Sequence, residues 1–105
     1  MTNGFMNVCG DTELDEGAVK TVSIDDKLIL LARYNGAVYA VDDICTHDGG
    51  ELGDGDLVDC QIQCPRHGAR FDLKTGAATR MPAIIGIETY EVKVKDGRIF
   101  VAVDK

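Results

Sequence analysis

The sequence predicts an all-β chain made of antiparallel strands. Apolar residues recur at every second position or in short β-branched runs, and Gly and Asp separate these runs. No segment has the length and the period of a long helix. The dipeptides Asn35-Gly36 and Asp96-Gly97, which favour tight hairpin turns, each lie between two strand candidates.

The strand candidates form two outer groups and a central one. They are Phe5 to Cys9, Ala18 to Ile24, Leu28 to Tyr34 and Ala37 to Val41, then Leu57 to Gln63, Arg70 to Leu73 and Ala77 to Arg80, and finally Glu88 to Lys95 and Arg98 to Val103. Residues 43–83 hold both histidines, both prolines and three of the four cysteines. We therefore expect one domain, with a framework of residues 1–42 and 84–105 that carries an inserted subdomain of residues 43–83.

Size and charge exclude several classes of protein. A chain of 105 residues has room for one modest core. Its net charge of −7 argues against nucleic acid or an anionic membrane as a partner, since binding phosphates requires an excess of Lys and Arg. No apolar run approaches the roughly 20 residues that span a bilayer. The first fifteen residues lack the basic and apolar pattern of an export signal, so we expect a cytoplasmic protein.

The candidate chemistry lies in two short motifs, Cys45-Thr46-His47 and Cys64-Pro65-Arg66-His67. Each motif offers one thiolate and one imidazole, and glycines follow both, which lets the backbone come close to a ligand. Such a set suits a [2Fe-2S] cluster in which two His replace two Cys on one iron. The same four side chains are also able to hold a structural zinc, although zinc signatures commonly pair Cys with Cys and His with His.

Through residues 45–52 and 64–72 the sequence resembles the Rieske ferredoxins, and a third loop at Pro82 fits as well. The resemblance implies a Rieske-like antiparallel β-sandwich with an inserted cluster-binding subdomain of short strands and loops. It implies one [2Fe-2S] cluster, with Cys45 and Cys64 on one iron and His47 and His67 on the other iron at an exposed tip. The resemblance covers essentially the whole chain.

High-potential Rieske proteins of respiratory complexes typically carry an extra cysteine in each loop, joined by a disulfide, and Ser and Tyr hydroxyls that donate to cluster sulfur. Here Gly50 and Arg66 occupy the two cysteine positions, while Ala69 and Phe71 replace the hydroxyl residues. We therefore expect a potential at the low end of the family range, about −150 mV.

This pattern is similar to the ferredoxin component of bacterial ring-hydroxylating, non-haem iron dioxygenase systems, which serve aromatic hydrocarbon catabolism. It implies a monomeric one-electron carrier, not an enzyme and without catalytic residues. A flavin or iron–sulfur ferredoxin reductase would supply the electron and a terminal oxygenase would receive it. A redox-responsive or iron–sulfur-assembly accessory protein remains an alternative, as does a zinc-stabilised interaction module.

Other residues have weaker patterns. We expect Cys9 and Cys60 to be buried as small apolar side chains, with Cys60 on the same strand face as Val58 and Ile62. A basic group follows the second motif and an acidic group precedes it, and both are expected either to form a solvated surface or to orient partners. The basic group is Arg66, Arg70, Lys74 and Arg80, with Arg66 the favoured contact, and the acidic group is Asp42, Asp43, Asp48, Glu51, Asp54, Asp56 and Asp59.

Overall fold

The computed structural model describes residues 4–46 and 48–102. Within these residues the chain forms ten β-strands and a short 3-10 helix at Asp11–Glu13, and no helix is long and apolar enough to cross a membrane. The strands are β1 (Phe5–Gly10), β2 (Val19–Ile24), β3 (Lys27–Tyr34), β4 (Ala37–Asp42), β5 (Asp56–Val58), β6 (Gln61–Gln63), β7 (Arg70–Asp72), β8 (Ala78–Arg80), β9 (Thr89–Lys95) and β10 (Arg98–Ala102). The all-β antiparallel prediction is confirmed.

The outer strands pair in the order β1-β10-β9-β4-β3-β2, with every pair antiparallel. Strands β4 and β9 are joined through only Ala40 opposite Tyr90 and Val41 opposite Thr89. The three strands on each side of this narrow seam face each other across a shared core, as the sandwich prediction requires. This core consists of Cys9, Leu14, Ile24, Ile29, Leu31, Ala40, Tyr90, Ile99 and Val101.

The hairpin turns follow from residues that tolerate a left-handed backbone. Both residues of Asn35-Gly36 and of Asp96-Gly97 have positive φ, as the sequence predicts. A third turn of this kind, Asp25-Asp26, has φ of 50° and 67° and joins β2 to β3. It contains no glycine and gives a weaker signal in the sequence, because Asp adopts this conformation less readily than Gly.

The central strands form a second sheet in the order β5-β6-β7-β8. Here the prediction of one strand from Leu57 to Gln63 is wrong, because a two-residue turn at Asp59 and Cys60 divides it into β5 and β6. Asp59 takes a φ of +53°, which lets the chain reverse without a glycine. Cys60 therefore lies in a turn and does not share a strand face with its apolar neighbours.

The small sheet packs on the framework, and its buried side chains join buried framework side chains in one cluster. Along β3, Ile29 and Leu31 face the sandwich core, while Leu30 and Ala32 belong to a second cluster on the opposite face. This second cluster also contains Val41, Cys45, Leu52, Ile62, Cys64, Ala69, Phe71, Leu73, Ala83 and Ile87. Because both motif cysteines pack into this second cluster, the loops after β4 and β6 are fixed relative to the framework.

Candidate metal centre

The two motif loops have the same backbone hydrogen bonds. In the first loop the Cys45 N–H donates to the Gly50 carbonyl at 2.7 Å, and the Cys45 carbonyl accepts from Gly49 at 2.7 Å. In the second loop the Cys64 N–H donates to the carbonyl five residues on, at 2.7 Å, and its carbonyl accepts from the glycine four residues on, at 3.1 Å. Gly49 and Gly68 have φ of 75° and 78°, which explains a glycine four residues after each cysteine.

The loops bring two cysteine sulfurs together in an apolar setting. Cys45 and Cys64 are almost completely buried, and their Sγ atoms lie within 4.8 Å of each other and of a carboxylate oxygen of Asp48. Two converging sulfur donors suit a soft metal or an iron–sulfur centre. The two sulfurs therefore fit the cysteine-bound side of the cluster that the sequence implies.

The histidines are placed differently from the cysteines. The His67 side chain is 58% exposed, and its Nδ1 lies 3.9 Å from Asp48 Oδ2. The structure thus places this predicted ligand beside Asp48 and toward solvent, while the group of converging donor atoms consists of the two sulfurs and Asp48. His47 lies outside the described residues, so its role as a ligand stays a prediction.

A charged pair joins the two loops. Arg66 Nε donates to Asp48 Oδ2 at 2.5 Å and Arg66 Nη2 donates to Asp48 Oδ1 at 3.1 Å, while Oδ1 also accepts from the Gly50 N–H at 2.9 Å. The Arg66 hydrogen bonds, followed by the Gly50 bond, hold the pKa of the Asp48 carboxyl well below its usual range. Arg66 and Asp48 form a specific contact, whereas the sequence pattern indicated only that one belongs to a basic group and the other to an acidic group.

Asp43 anchors the far end of the first loop. It is 3% exposed, and its Oδ1 accepts from the Leu52 N–H at 2.7 Å while its Oδ2 accepts from the Thr21 hydroxyl at 2.8 Å. The interpretation of Asp43 as part of an acidic surface is wrong, because the carboxylate is turned inward to satisfy a buried backbone N–H. Nothing in its sequence context separates it from its exposed acidic neighbours.

A third loop, between β8 and β9, lies against the first one. The Thr46 hydroxyl donates to the Ile85 carbonyl, and the Met81–Pro82 peptide bond is cis. Ala83 is buried in the second cluster, whereas its neighbours in the chain expose apolar side chains. We call the exposed group Ile44, Met81, Ile84 and Ile85 the tip patch, with exposed fractions of 41, 74, 80 and 66%.

The two remaining cysteines lie outside this centre. Cys9 is buried in the sandwich core, as expected, and burial raises the pKa of its thiol. Cys60 is only half-buried. Burial, followed by the Cys60 contact, raises the pKa of the Tyr39 phenol.

Comparisons with known proteins agree with this geometry. A family model described as the Rieske [2Fe-2S] domain matches residues 4–91. The chain is 36% identical to the ferredoxin component of a naphthalene 1,2-dioxygenase system from Pseudomonas aeruginosa, over 96% of this chain and 97% of that protein. It is 38% identical to the ferredoxin subunit of a 3-phenylpropionate/cinnamic acid dioxygenase from Photorhabdus laumondii, over 93% of each chain.

Among solved structures, the chain is similar to the ferredoxin of carbazole 1,9a-dioxygenase from Nocardioides aromaticivorans IC177. The TM-score is 0.91 at 29% identity, over 95% of this chain and 98% of that one. A second similar chain, with a TM-score of 0.91 and 30% identity, belongs to a complex of reduced oxygenase and oxidised ferredoxin in carbazole 1,9a-dioxygenase, and the match covers 99% of this chain and 97% of that one.

Proposed function

The chain belongs to the family of Rieske [2Fe-2S] domains, and on this premise we propose that it carries single electrons from a ferredoxin reductase to a terminal non-haem iron oxygenase. The observation that supports the proposal most strongly is the pair of buried cysteine sulfurs within 4.8 Å, presented by two loops with matching backbone hydrogen bonds. Such a centre lets the protein take up and give up one electron when its cluster is bound.

The proposed ligands are Cys45, Cys64, His47 and His67. The cysteines are buried, so they would hold the inner iron, while the exposed His67 supports the placement of the histidine-bound iron toward solvent. His47 enters the set through its motif alone. In this proposal residues 43–83 form the cluster-binding subdomain, and residues 1–42 and 84–105 form the framework of a single domain.

We propose a low reduction potential, about −150 mV. Ala69 and Phe71 are fully buried in the same core cluster as the two cysteines. Neither side chain has a hydroxyl group that can donate a hydrogen bond to a cluster sulfur. Without these donors the extra negative charge of the reduced state is less stabilised, which lowers the potential.

The tip patch is the proposed docking surface for the oxygenase. Three of its four side chains lie on the loop that contacts Thr46, and the fourth, Ile44, directly precedes Cys45. Its exposed position suits the small interfaces of transient redox encounters. The relatives are named as ferredoxin components, which supports a flavin or iron–sulfur ferredoxin reductase as the electron donor. We further propose that the protein is a monomer and works in the cytoplasm, where its cysteines stay reduced.

An anaerobic electron titration tests this function. Oxidised protein should take up one electron per chain from dithionite, with bleaching of its visible absorption. Mixing the reduced protein with the oxidised oxygenase component of naphthalene 1,2-dioxygenase, used as a probe, should then restore the colour. A colourless protein that takes up no electron would contradict the carrier. Uptake of an electron with no transfer to the oxygenase would favour the accessory alternative.

A further inference from the structure

We propose that Arg66, Asp48 and Gly50 form a clasp that holds the two motif loops together and thereby retains the cluster. The inference rests on the proposed function, because the cluster is the one that function requires. Arg66 and Asp48 are positioning residues in this proposal and do not act as ligands.

The ion pair is the first part of the clasp. Asp48 belongs to the first loop and Arg66 to the second, and two N–H groups of the guanidinium reach the two carboxylate oxygens at 2.5 and 3.1 Å. A bidentate contact of this kind fixes the relative orientation of both side chains, which a single lysine ammonium group would not do. The Gly50 N–H bond to Asp48 Oδ1, at 2.9 Å, ties the same carboxylate to its own loop.

The second part is the close fit of Arg66 against Gly50. A Cβ atom added to Gly50 would lie 2.6 Å from both Cζ and Nη2 of Arg66. Gly50 does not have a positive φ, so its backbone conformation does not require glycine. The glycine therefore leaves room for the guanidinium, which a larger residue at this position would displace.

The clasp also controls the charge beside the sulfurs. An Asp48 oxygen lies within 4.8 Å of Sγ of both Cys45 and Cys64, so the carboxylate borders the space between the two sulfurs. Arg66 binds both oxygens of Asp48 and balances its negative charge. This keeps a hard oxygen ligand from competing with the soft sulfur ligands.

The test compares cluster loss from the purified holoprotein in excess chelator, followed by visible absorption. Arg66→Gln removes the guanidinium group and its positive charge, and the methyl group of Gly50→Ala displaces the guanidinium from its position. Each change should speed cluster loss about threefold at low salt. The double variant should lose its cluster no faster than either single variant, since both changes break one contact. Arg80→Gln, which removes an exposed charge from β8, is the matched control and should behave as wild type.

Salt and the reduction potential give two further readouts. High salt should speed cluster loss from the wild type but have little effect on Arg66→Gln, because the ion pair is already absent. Arg66→Gln should also lower the reduction potential, since Asp48 keeps its negative charge beside the centre, whereas Arg80→Gln should not. Wild-type cluster loss in Gly50→Ala, or effects of Gly50→Ala and Arg66→Gln that multiply in the double variant, would overturn the clasp.

The outcome separates the clasp from the proposed function. A wild-type protein without an iron–sulfur cluster would contradict the function. In that case urea unfolding of the same four variants, with the full chain as isolated, still decides the clasp. Effects of Arg66→Gln and Gly50→Ala on stability that fail to add would support it, and additive effects would overturn it.

Discussion

Replacing Asp43 by alanine should destabilise the fold and loosen the first motif loop. The carboxylate of Asp43 satisfies the N–H of Leu52, a completely buried residue, and also accepts from the Thr21 hydroxyl on β2. Without it the Leu52 N–H would be buried and unpaired, which costs about 2 kcal/mol, and the loss of the second bond adds about 1 kcal/mol. We expect Asp43→Ala to lower the free energy of unfolding by about 3 kcal/mol.

Urea unfolding of the purified chain measures this loss. With a slope of about 1.5 kcal/mol per molar urea, the midpoint should fall by about 2 M. Asp43→Asn is the matched control, because its amide oxygen still accepts from Leu52 and its amide N–H can donate to the Thr21 hydroxyl. Thr21→Val removes one bond only and should lose about 1 kcal/mol, whereas Asp43→Asn should lose less than Thr21→Val. An Asp43→Ala midpoint equal to that of wild type would refute this account of the loop anchor.

Four further substitutions test other parts of the structure. Phe71→Tyr and Ala69→Ser each add a hydroxyl group that can donate a hydrogen bond to cluster sulfur, and each should raise the reduction potential by about 60 mV. An unchanged potential in a redox titration would contradict the proposed reason for the low potential. Ile84→Asp on the tip patch should raise the KM for the oxygenase several-fold while the visible spectrum stays unchanged, and an unaltered KM would remove this residue from the docking surface. Burial, followed by the bond to Asp42, raises the pKa of Tyr90, so the stability of the wild type should fall as pH rises above about 10, where the tyrosine of the unfolded chain ionises first. Tyr90→Phe should lower the free energy of unfolding by about 1 kcal/mol at neutral pH and reduce the loss of stability at alkaline pH. Identical pH profiles of unfolding for the two proteins would contradict this explanation.

Much of the framework was predictable because local sequence determines it. The Asn35-Gly36 and Asp96-Gly97 turns fix their hairpins through residues that adopt positive φ, and both turns have that geometry. The glycine four residues after each motif cysteine likewise follows from the backbone of one loop. For such features the relevant interactions lie within a few residues along the chain.

Contacts between distant segments were not predictable in the same way. The turn at Asp59 and Cys60 contains no glycine, so an alternating apolar pattern continued across it. The Asp48 to Arg66 pair joins residues 18 apart, and Asp43 reaches Thr21 across 22 residues. Whether an aspartate lies on the surface, caps a buried N–H or pairs with an arginine depends on the packed neighbours, which a single sequence does not specify.

We propose above all that this chain holds a histidine-ligated [2Fe-2S] cluster and works by changing the charge of that cluster by one electron. Iron and zinc analysis combined with low-temperature electron paramagnetic resonance of the anaerobically purified, dithionite-reduced protein tests it most directly. We expect two irons per chain and a reduced-state signal of low average g, as histidine ligation of one iron produces. A colourless protein with one zinc, after cluster reconstitution had also failed, would contradict the claim and leave a zinc-stabilised interaction module.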